Sequence, residues 1–154
     1  GLFAEMRKNP RVIGVKNSSM PVQDIQMFKQ AAGDDYIIFN GPDEQFISGR
    51  AIGADGGIGG TYAVMPELFL KMNEFLEEGK MKEALEIQNK ADAIIYKMCE
   101  AHGNLYAVMK EILRINENID IGNVRKPLPG LIPEDIPIVE EAAKMIRDAI
   151  SELQ

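Results

Sequence analysis

The sequence predicts an α/β fold with a parallel sheet, followed by a purely helical region. In the first 60 residues, short apolar runs alternate with helical patterns, and from Lys80 onward apolar residues recur only at three- and four-residue spacing. Strands that alternate with helices are typical of right-handed βαβ units, and therefore of a parallel sheet. We expect a boundary near Gly79, with residues 1–79 forming the β/α part and residues 80–154 the helical part.

Three segments have the composition of strands. Residues 11–16 are a short β-branched run behind a chain-breaking Asn-Pro pair, and residues 35–40 are a second apolar run. The third segment, 55–61, is rich in glycine. The first two runs are continuously apolar, which predicts that both of their faces are buried.

Prolines and glycines mark the ends of the predicted helices. Pro21 opens a helix that ends at Gly33, and Pro66 opens another that ends at Gly79. A short helix is expected at residues 43–52. The later helices are predicted at residues 80–101, 105–115 and 134–153.

Composition excludes several classes of function. The chain has 154 residues, of which 45% are hydrophobic and 27% charged, as in ordinary globular proteins. Its net charge of −7 argues against a nucleic-acid partner, since phosphate binding needs clustered Lys and Arg. No apolar run approaches the ~18 residues that span a bilayer, so no membrane partner is expected.

The cysteine content indicates the cellular compartment, and the start of the chain indicates whether it is part of a larger protein. Cys99 is the single cysteine and cannot form an internal disulfide, which favours a reducing compartment and hence a cytoplasmic location. The chain does not begin with Met, and residues 1–6 have the pattern of a helix whose start is missing. We therefore expect either that the chain was cut or that it is one piece of something larger.

Lys16 is the strongest candidate for a catalytic residue. It ends the first strand run, and functional groups gather at the carboxyl ends of parallel strands. By position alone, a lysine there is more often a solvated charge. A nucleophilic lysine has to be neutral, whereas an ordinary lysine with a pKa of ~10.4 is neutral in only about one molecule in 2,500 at pH 7. Desolvation behind Val12, Ile13 and Val15 is the expected source of activation.

A second candidate is the acidic pair Asp43 and Glu44, which follows the second strand run. Acids at a helix start often cap the helix and complement its dipole. They could equally accept hydrogen bonds from sugar hydroxyls, and the residues alone leave the two readings open.

The third candidate is a glycine cluster in the third strand run. Glycines there would let a ligand or another backbone approach closely, although they match neither the phosphate-binding loop nor the dinucleotide fingerprint. The cluster consists of Gly56, Gly57, Gly59 and Gly60. His102 and Cys99 show no metal-ligand spacing, so we expect neither a metal nor another cofactor.

Three blocks of sequence carry a family resemblance. They are VIGVKNSS at 12–19, GPDEQ at 41–45 and GADGGIGGTY at 53–62, and the tail GNVRKPL at 122–128 agrees with them. In order and separation they resemble the pyruvate-dependent class I aldolases of the dihydrodipicolinate synthase/N-acetylneuraminate lyase family. The Gly-x-Asp-Glu-Gln block followed by Gly-Gly-Thr-Tyr resembles the sialic-acid branch.

The resemblance implies the C-terminal part of a (β/α)8 TIM barrel, with about three parallel strands and their helices, plus a C-terminal helical extension. It implies a Schiff-base aldolase that cleaves N-acetylneuraminate to N-acetylmannosamine and pyruvate. Lys16 takes the imine-forming position. The substrate-contacting positions, with both acids facing the sugar hydroxyls, are Ser18, Gly41, Asp43, Glu44 and Gly60.

The sequence departs from the family in three respects. Position 18 is Ser where Thr is commoner, and position 60 is Gly where many relatives have Ser. The carboxylate-binding turn and the proton-shuttling tyrosine of the family belong to earlier strands, and neither is in this sequence. None of the four tyrosines occupies the matching position: Tyr36, Tyr62, Tyr96 and Tyr106.

These departures leave three hypotheses. The first is an aldolase half that is weak or inactive until it meets an N-terminal half of the barrel or forms a homo-oligomer, with pyruvate and sialic acid as its small-molecule ligands. The second is a non-catalytic assembly fragment in which Lys16 is a relic. The third is a pyruvate aldolase of the same fold, similar to dihydrodipicolinate synthase, that uses another aldehyde.

Overall fold

The computed structural model describes residues 1–153, which form a three-stranded sheet and a set of helices around it. The elements in chain order are α1 (Leu2–Met6), β1 (Gly14–Asn17), α2 (Gln23–Ala32), β2 (Ile37–Asn40), α3 (Phe46–Ala51), β3 (Gly56–Gly57), α4 (Pro66–Glu77), α5 (Met81–Met98), α6 (Leu105–Glu117) and α7 (Ile136–Ser151). Single 3-10 turns lie at Asp43–Gln45, Thr61–Ala63 and Pro133–Asp135. The predicted α/β class, with a helical region after the strands, is confirmed.

The sheet is parallel, with the strand order β1-β2-β3. Lys16 lies beside Phe39, and Phe39 lies beside Gly56. Because neighbouring strands run in the same direction, their carboxyl ends meet at one edge of the sheet. That edge carries Lys16 and the segments that follow β2 and β3.

Within residues 1–153, helices cover only one face of the sheet. Ile38 is fully buried against Ile25 of α2, with Val15 packed beside them. Side chains alternate between the two faces of a strand, so the neighbours of Ile38 point the other way. Ile37 is 41% exposed there, and Lys16 is exposed as well. The expectation that β1 and β2 are buried on both faces was therefore wrong, because none of the described helices packs on the second face.

The third strand is shorter than the seven residues predicted. Only Gly56–Gly57 pairs with β2 as a strand, and the N–H of Ile58 extends the contact by donating to Asn40 O at 2.9 Å. The chain then turns into the Thr61–Ala63 segment. The prediction was too long because Thr61–Ala63 forms a 3-10 turn, in which Thr61 is bonded to the Asp43 carboxylate.

The helices build the main hydrophobic core. Helices α3 to α7 enclose one cluster of apolar side chains that runs from Phe46 to Ala149. Gly33 and Gly79 follow α2 and α4 with φ of +77° and +74°, a conformation that favours glycine, and both glycines stop their helices as predicted. The core includes residues on both sides of Gly79, and the division of the chain at that residue stays a prediction. No helix within residues 1–153 has the length and apolar character needed to cross a membrane.

Candidate functional site

A cavity of about 340 Å³ lies at the carboxyl ends of the strands. Its wall includes every residue to which the family resemblance gave a catalytic or substrate-binding role: Lys16, Ser18, Gly41, Asp43, Glu44 and Gly60. Of the glycine cluster in the third strand run, Gly59 and Gly60 line this cavity, whereas Gly56 and Gly57 do not. These residues come from three separate strand ends, and the parallel register brings them together. One concave site that gathers several polar groups is the usual form of a small-molecule site.

Lys16 projects from the open face of the sheet and is exposed. The residues expected to shield it do not do so, since Ile13 is 66% exposed and Val12 and Val15 are only partly buried. Val15 faces α2, on the side of the sheet opposite Lys16. These three residues therefore do not shield Lys16 within residues 1–153, and its desolvation inside a barrel mouth stays a prediction.

The ends of β1 and β2 approach each other closely at Ser18 and Gly41. The N–H of Gly41 donates to Asn17 O at 2.7 Å. A Cβ at position 41 would lie 2.2 Å from Ser18 Oγ and 2.6 Å from Asn17 O. Glycine is therefore required at position 41, and it places the Ser18 hydroxyl at the cavity wall beside Lys16.

Asp43 is buried, with 7% of its surface exposed, and its carboxylate connects two strand ends. Its Oδ2 accepts hydrogen bonds from the N–H of Thr61 at 2.8 Å and from the Thr61 hydroxyl at 2.5 Å. Its Oδ1 has no hydrogen-bond partner among the described residues, and a Cβ added at Gly59 would lie 1.4 Å from it. The side chain thus does not cap the following helix, and it holds the turn that carries Gly60.

Glu44 differs from Asp43 in that its side chain is exposed at the cavity. Its negative charge reaches α5, where it acts on Asp92. The pKa of Asp92 is raised above its ordinary value. Burial is the main cause and the charge of Glu44 adds to it, although a hydrogen bond from Gln88 acts in the opposite direction. The two adjacent acids therefore have different surroundings: Asp43 is engaged inside the protein, and Glu44 is free to meet a ligand.

Part of the cavity wall comes from α6, which the sequence did not predict. Leu105, Tyr106 and Met109 line it, and a Cβ at Gly60 would lie 3.2 Å from the Tyr106 ring. Tyr106 was set aside because it matches no family position. The three-residue spacing of Tyr106 and Met109, which places both on one side of a helix, is the signal that could have found them.

Tyr62 is not among the residues that line this cavity. Its hydroxyl is buried against Gly57, where a Cβ would approach it to 2.3 Å. Burial raises the pKa of Tyr62 well above its ordinary value, and the negative charge of Asp43 raises it further. The phenol therefore stays protonated across the physiological range. Within residues 1–153, no three His, Cys, Asp or Glu side chains are grouped as metal ligands would be.

Known proteins resemble the chain over nearly its whole length. The model of the dihydrodipicolinate synthetase family matches residues 2–146. N-acetylneuraminate lyase from Mediterraneibacter gnavus is 70% identical over 148 residues, which are 96% of this chain and 47% of that protein. A catalytic-lysine mutant of the Ruminococcus gnavus sialic acid aldolase superposes with a TM-score of 0.97 at 67% identity, covering 99% of this chain and 50% of that one.

A more distant solved structure shows the same fold. N-acetylneuraminate lyase from Fusobacterium nucleatum, complexed with pyruvate, superposes with a TM-score of 0.84 at 30% identity, covering 94% of this chain and 48% of that one. The chain spans about half the length of the relatives that it matches. Since the family model covers almost all of the described residues, the chain belongs to the dihydrodipicolinate synthetase family.

Proposed function

We propose that this chain is the C-terminal part of a Schiff-base aldolase that cleaves N-acetylneuraminate to N-acetylmannosamine and pyruvate. The observation that carries the proposal is the cavity at the strand ends, which gathers all six residues that the family resemblance assigns to catalysis and substrate binding. The 70% identity to an N-acetylneuraminate lyase over 96% of the chain supports the substrate.

Lys16 is the nucleophile in this proposal. Its neutral amine attacks the ketone carbon of the sugar acid, and loss of water leaves a protonated imine. The protonated imine accepts the electron pair released when the bond between the carbon next to the imine carbon and the hydroxyl-bearing carbon beyond it breaks. That hydroxyl gives up its proton to a base as its carbon becomes the aldehyde, and the other product is an enamine. Protonation and hydrolysis of the enamine release pyruvate and regenerate the lysine. Two relatives support this reaction, one described as a catalytic-lysine mutant and the other as a pyruvate complex.

The remaining site residues divide into two groups. Ser18 and Gly41 lie beside each other at the ends of β1 and β2, where they can meet the pyruvate portion next to Lys16. Glu44 is exposed and can accept hydrogen bonds from the sugar hydroxyls, whereas the carboxylate of Asp43 is bonded to Thr61. We therefore assign the hydroxyl-binding role to Glu44 and the shaping of the Gly60 turn to Asp43.

Efficient turnover requires a partner that completes the barrel. The second face of the sheet is open, and β1 and β3 leave two unpaired edges, which are ready to pair with other strands. The matched relatives are about twice as long as this chain. General acid–base catalysis contributes about 10²- to 10⁴-fold, and the family's proton-shuttling tyrosine is not in this sequence. The partner is an N-terminal half of the barrel or, failing that, a second copy of the chain. The assembled protein acts in the cytoplasm.

Trapping with borohydride tests the proposal. The chain is mixed with pyruvate and sodium borohydride, alone and together with a separately expressed N-terminal half of the Mediterraneibacter gnavus relative, and its intact mass is measured. We expect a single pyruvate adduct in the mixture. Lys16→Ala should abolish it, and Lys8→Ala, which removes an exposed lysine outside the cavity, should not.

The other results separate the alternatives. If no adduct forms even with the second half, the chain is a non-catalytic assembly fragment. If the adduct persists in Lys16→Ala, another amine forms it and Lys16 is not the nucleophile. If the adduct forms, the same mixture is supplied with pyruvate and different aldehydes. Preference for N-acetylmannosamine supports the lyase, and preference for aspartate semialdehyde supports a synthase of the same fold.

A further inference from the structure

A buried glutamine on α5 makes the contacts between the helical region and the candidate site. Gln88 has 3% of its surface exposed, and its amide forms three hydrogen bonds. Its Nε2 donates to the backbone oxygen of Asp43 at 3.1 Å, and its Oε1 accepts from the N–H of Ile47 at 3.1 Å. These two partners lie on either side of Glu44, so a single side chain holds both ends of the turn from which Glu44 projects.

The orientation of this amide is fixed by a neighbour on the same helix. The second N–H of Gln88 Nε2 donates to Asp92 Oδ1 at 2.9 Å. An ionised carboxylate accepts hydrogen bonds and cannot donate them, so it selects the nitrogen end of the amide. The oxygen end is thereby directed to Ile47. Both N–H groups and the oxygen of the amide are hydrogen-bonded, as is usual for the polar groups of a buried side chain.

The contact continues from Asp43 to the far side of the cavity. Gln88 holds the backbone of Asp43, and the carboxylate of Asp43 holds Thr61 by two bonds. Gly60 is the residue before Thr61 and lies against α6. A displacement of Gln88 is therefore transmitted to both polar walls of the cavity, at Glu44 and at Gly60.

We propose that Gln88 is a positioning residue through which the helical region sets the placement of Glu44 and the Gly60–Thr61 turn for the ligand. This role rests on the proposed function, since it is the sugar portion of the substrate that meets these two walls. Gln88 itself lies outside the cavity wall and does not touch the ligand.

Amide hydrogen exchange in the chain tests the positioning directly. Gln88→Met keeps the length of the side chain and removes all three hydrogen bonds. We expect the amide of Ile47 to exchange at least about tenfold faster and that of Thr61 at least about threefold faster. The amide of Ile146, in the core of α7, should change less than about twofold.

Two further variants separate positioning from general stability. Gln88→Glu keeps an acceptor for the Ile47 amide but loses the donor to Asp43. Compared with Gln88→Met, it should therefore slow exchange of the Ile47 amide, while the Thr61 amide should still exchange fast. Asn116→Leu removes hydrogen bonds that join α6 to α7 far from the cavity, and it should leave both amides unchanged. Equal acceleration of all amides in Gln88→Met, or no acceleration at Ile47 and Thr61, would overturn the proposal.

Kinetics of the paired halves complete the test. In the reconstituted mixture, Gln88→Met should raise KM for N-acetylneuraminate by about tenfold or more, with a smaller fall in kcat and unchanged trapping of pyruvate at Lys16. A loss of pyruvate trapping together with kcat would show a structural defect and contradict the positioning role. If the wild-type mixture does not trap pyruvate, the proposed function fails, whereas the exchange rates still decide whether Gln88 positions the turn.

Discussion

The carboxylate of Asp43 receives two hydrogen bonds from one residue, Thr61, at 2.8 Å from the backbone N–H and at 2.5 Å from the hydroxyl. Both side chains are buried, and 18 residues of chain separate them. The bonds join the segment after β2 to the segment after β3. The wall of the cavity at Gly60 depends on this pair.

Replacing Thr61 by valine should weaken this junction. Valine keeps the shape of threonine but removes the hydroxyl donor, and a hydrogen bond to a charged group contributes about 1.5–3 kcal/mol. We expect Thr61→Val to lower the free energy of unfolding by about that amount in urea titrations. Thr61→Ser, which keeps the hydroxyl, should lose less. Equal stability of wild type and Thr61→Val would show that the hydroxyl bond contributes nothing.

Gly59 should tolerate no side chain. A Cβ at this position would lie 1.4 Å from Asp43 Oδ1, so even Gly59→Ala must displace the carboxylate that holds Thr61. Overpacking of this kind costs about 1–3 kcal/mol. Gly130→Ala is the matched control, because its Cβ would meet no atom within 4 Å. Thermal melts of the two variants should therefore diverge, and a wild-type melting temperature for Gly59→Ala would contradict the packing described here.

The residues that could be predicted are those whose signal is local. The strand runs, the glycines at 33 and 79 that stop helices, and the cluster of site residues at the strand ends are all read from short windows of sequence, and the cavity gathers them. Lys16 could be placed at a strand end for the same reason. The burial of Lys16 could not be predicted, because it depends on what covers the second face of the sheet.

The remaining features depend on contacts between distant segments. Asp43 and Glu44 are adjacent and chemically similar, and only the position of Thr61 makes one of them an internal anchor. Gln88 has the pattern of an ordinary polar residue on an amphipathic helix, yet its partners are 41 and 45 residues away. Tyr106 reaches the cavity because α6 folds back over the strand ends. No periodicity encodes such pairings.

The stability of the chain should fall in acid because of Asp135, whose side chain is fully buried. Burial acts to raise the pKa of Asp135. Hydrogen bonds from the backbone N–H groups of Ile132, His102 and Gly103, and from the His102 ring, outweigh burial and lower the pKa to about 2. A carboxylate whose pKa is depressed on folding stabilises the protein above its ordinary pKa of 3.8, and this contribution is lost as the pH falls towards 2.

Urea titrations at several pH values between 5 and about 2 measure this loss. The midpoint of the wild type should fall more steeply below about pH 4 than that of Asp135→Asn, which carries no titrating group at this position. The comparison with the variant is needed because other carboxyl groups with a lowered pKa, such as those of Asp55 and Glu111, titrate in both proteins. Parallel curves for the two proteins would show that Asp135 is not the source.

The open face of the sheet should make the isolated chain associate. Ile37, the first residue of the central strand, is 41% exposed on that face, and unpaired strand edges lie on both sides of the sheet. At micromolar concentration in a sizing column, we expect an apparent mass above the 17.1 kDa of one chain. Ile37→Lys adds a charge to the face and should shift the protein towards the monomer. Leu85→Lys changes an equally exposed apolar residue on α5, away from the sheet, and should leave the elution unchanged. A monodisperse wild-type monomer, or an equal effect of both substitutions, would show that the open face does not drive association.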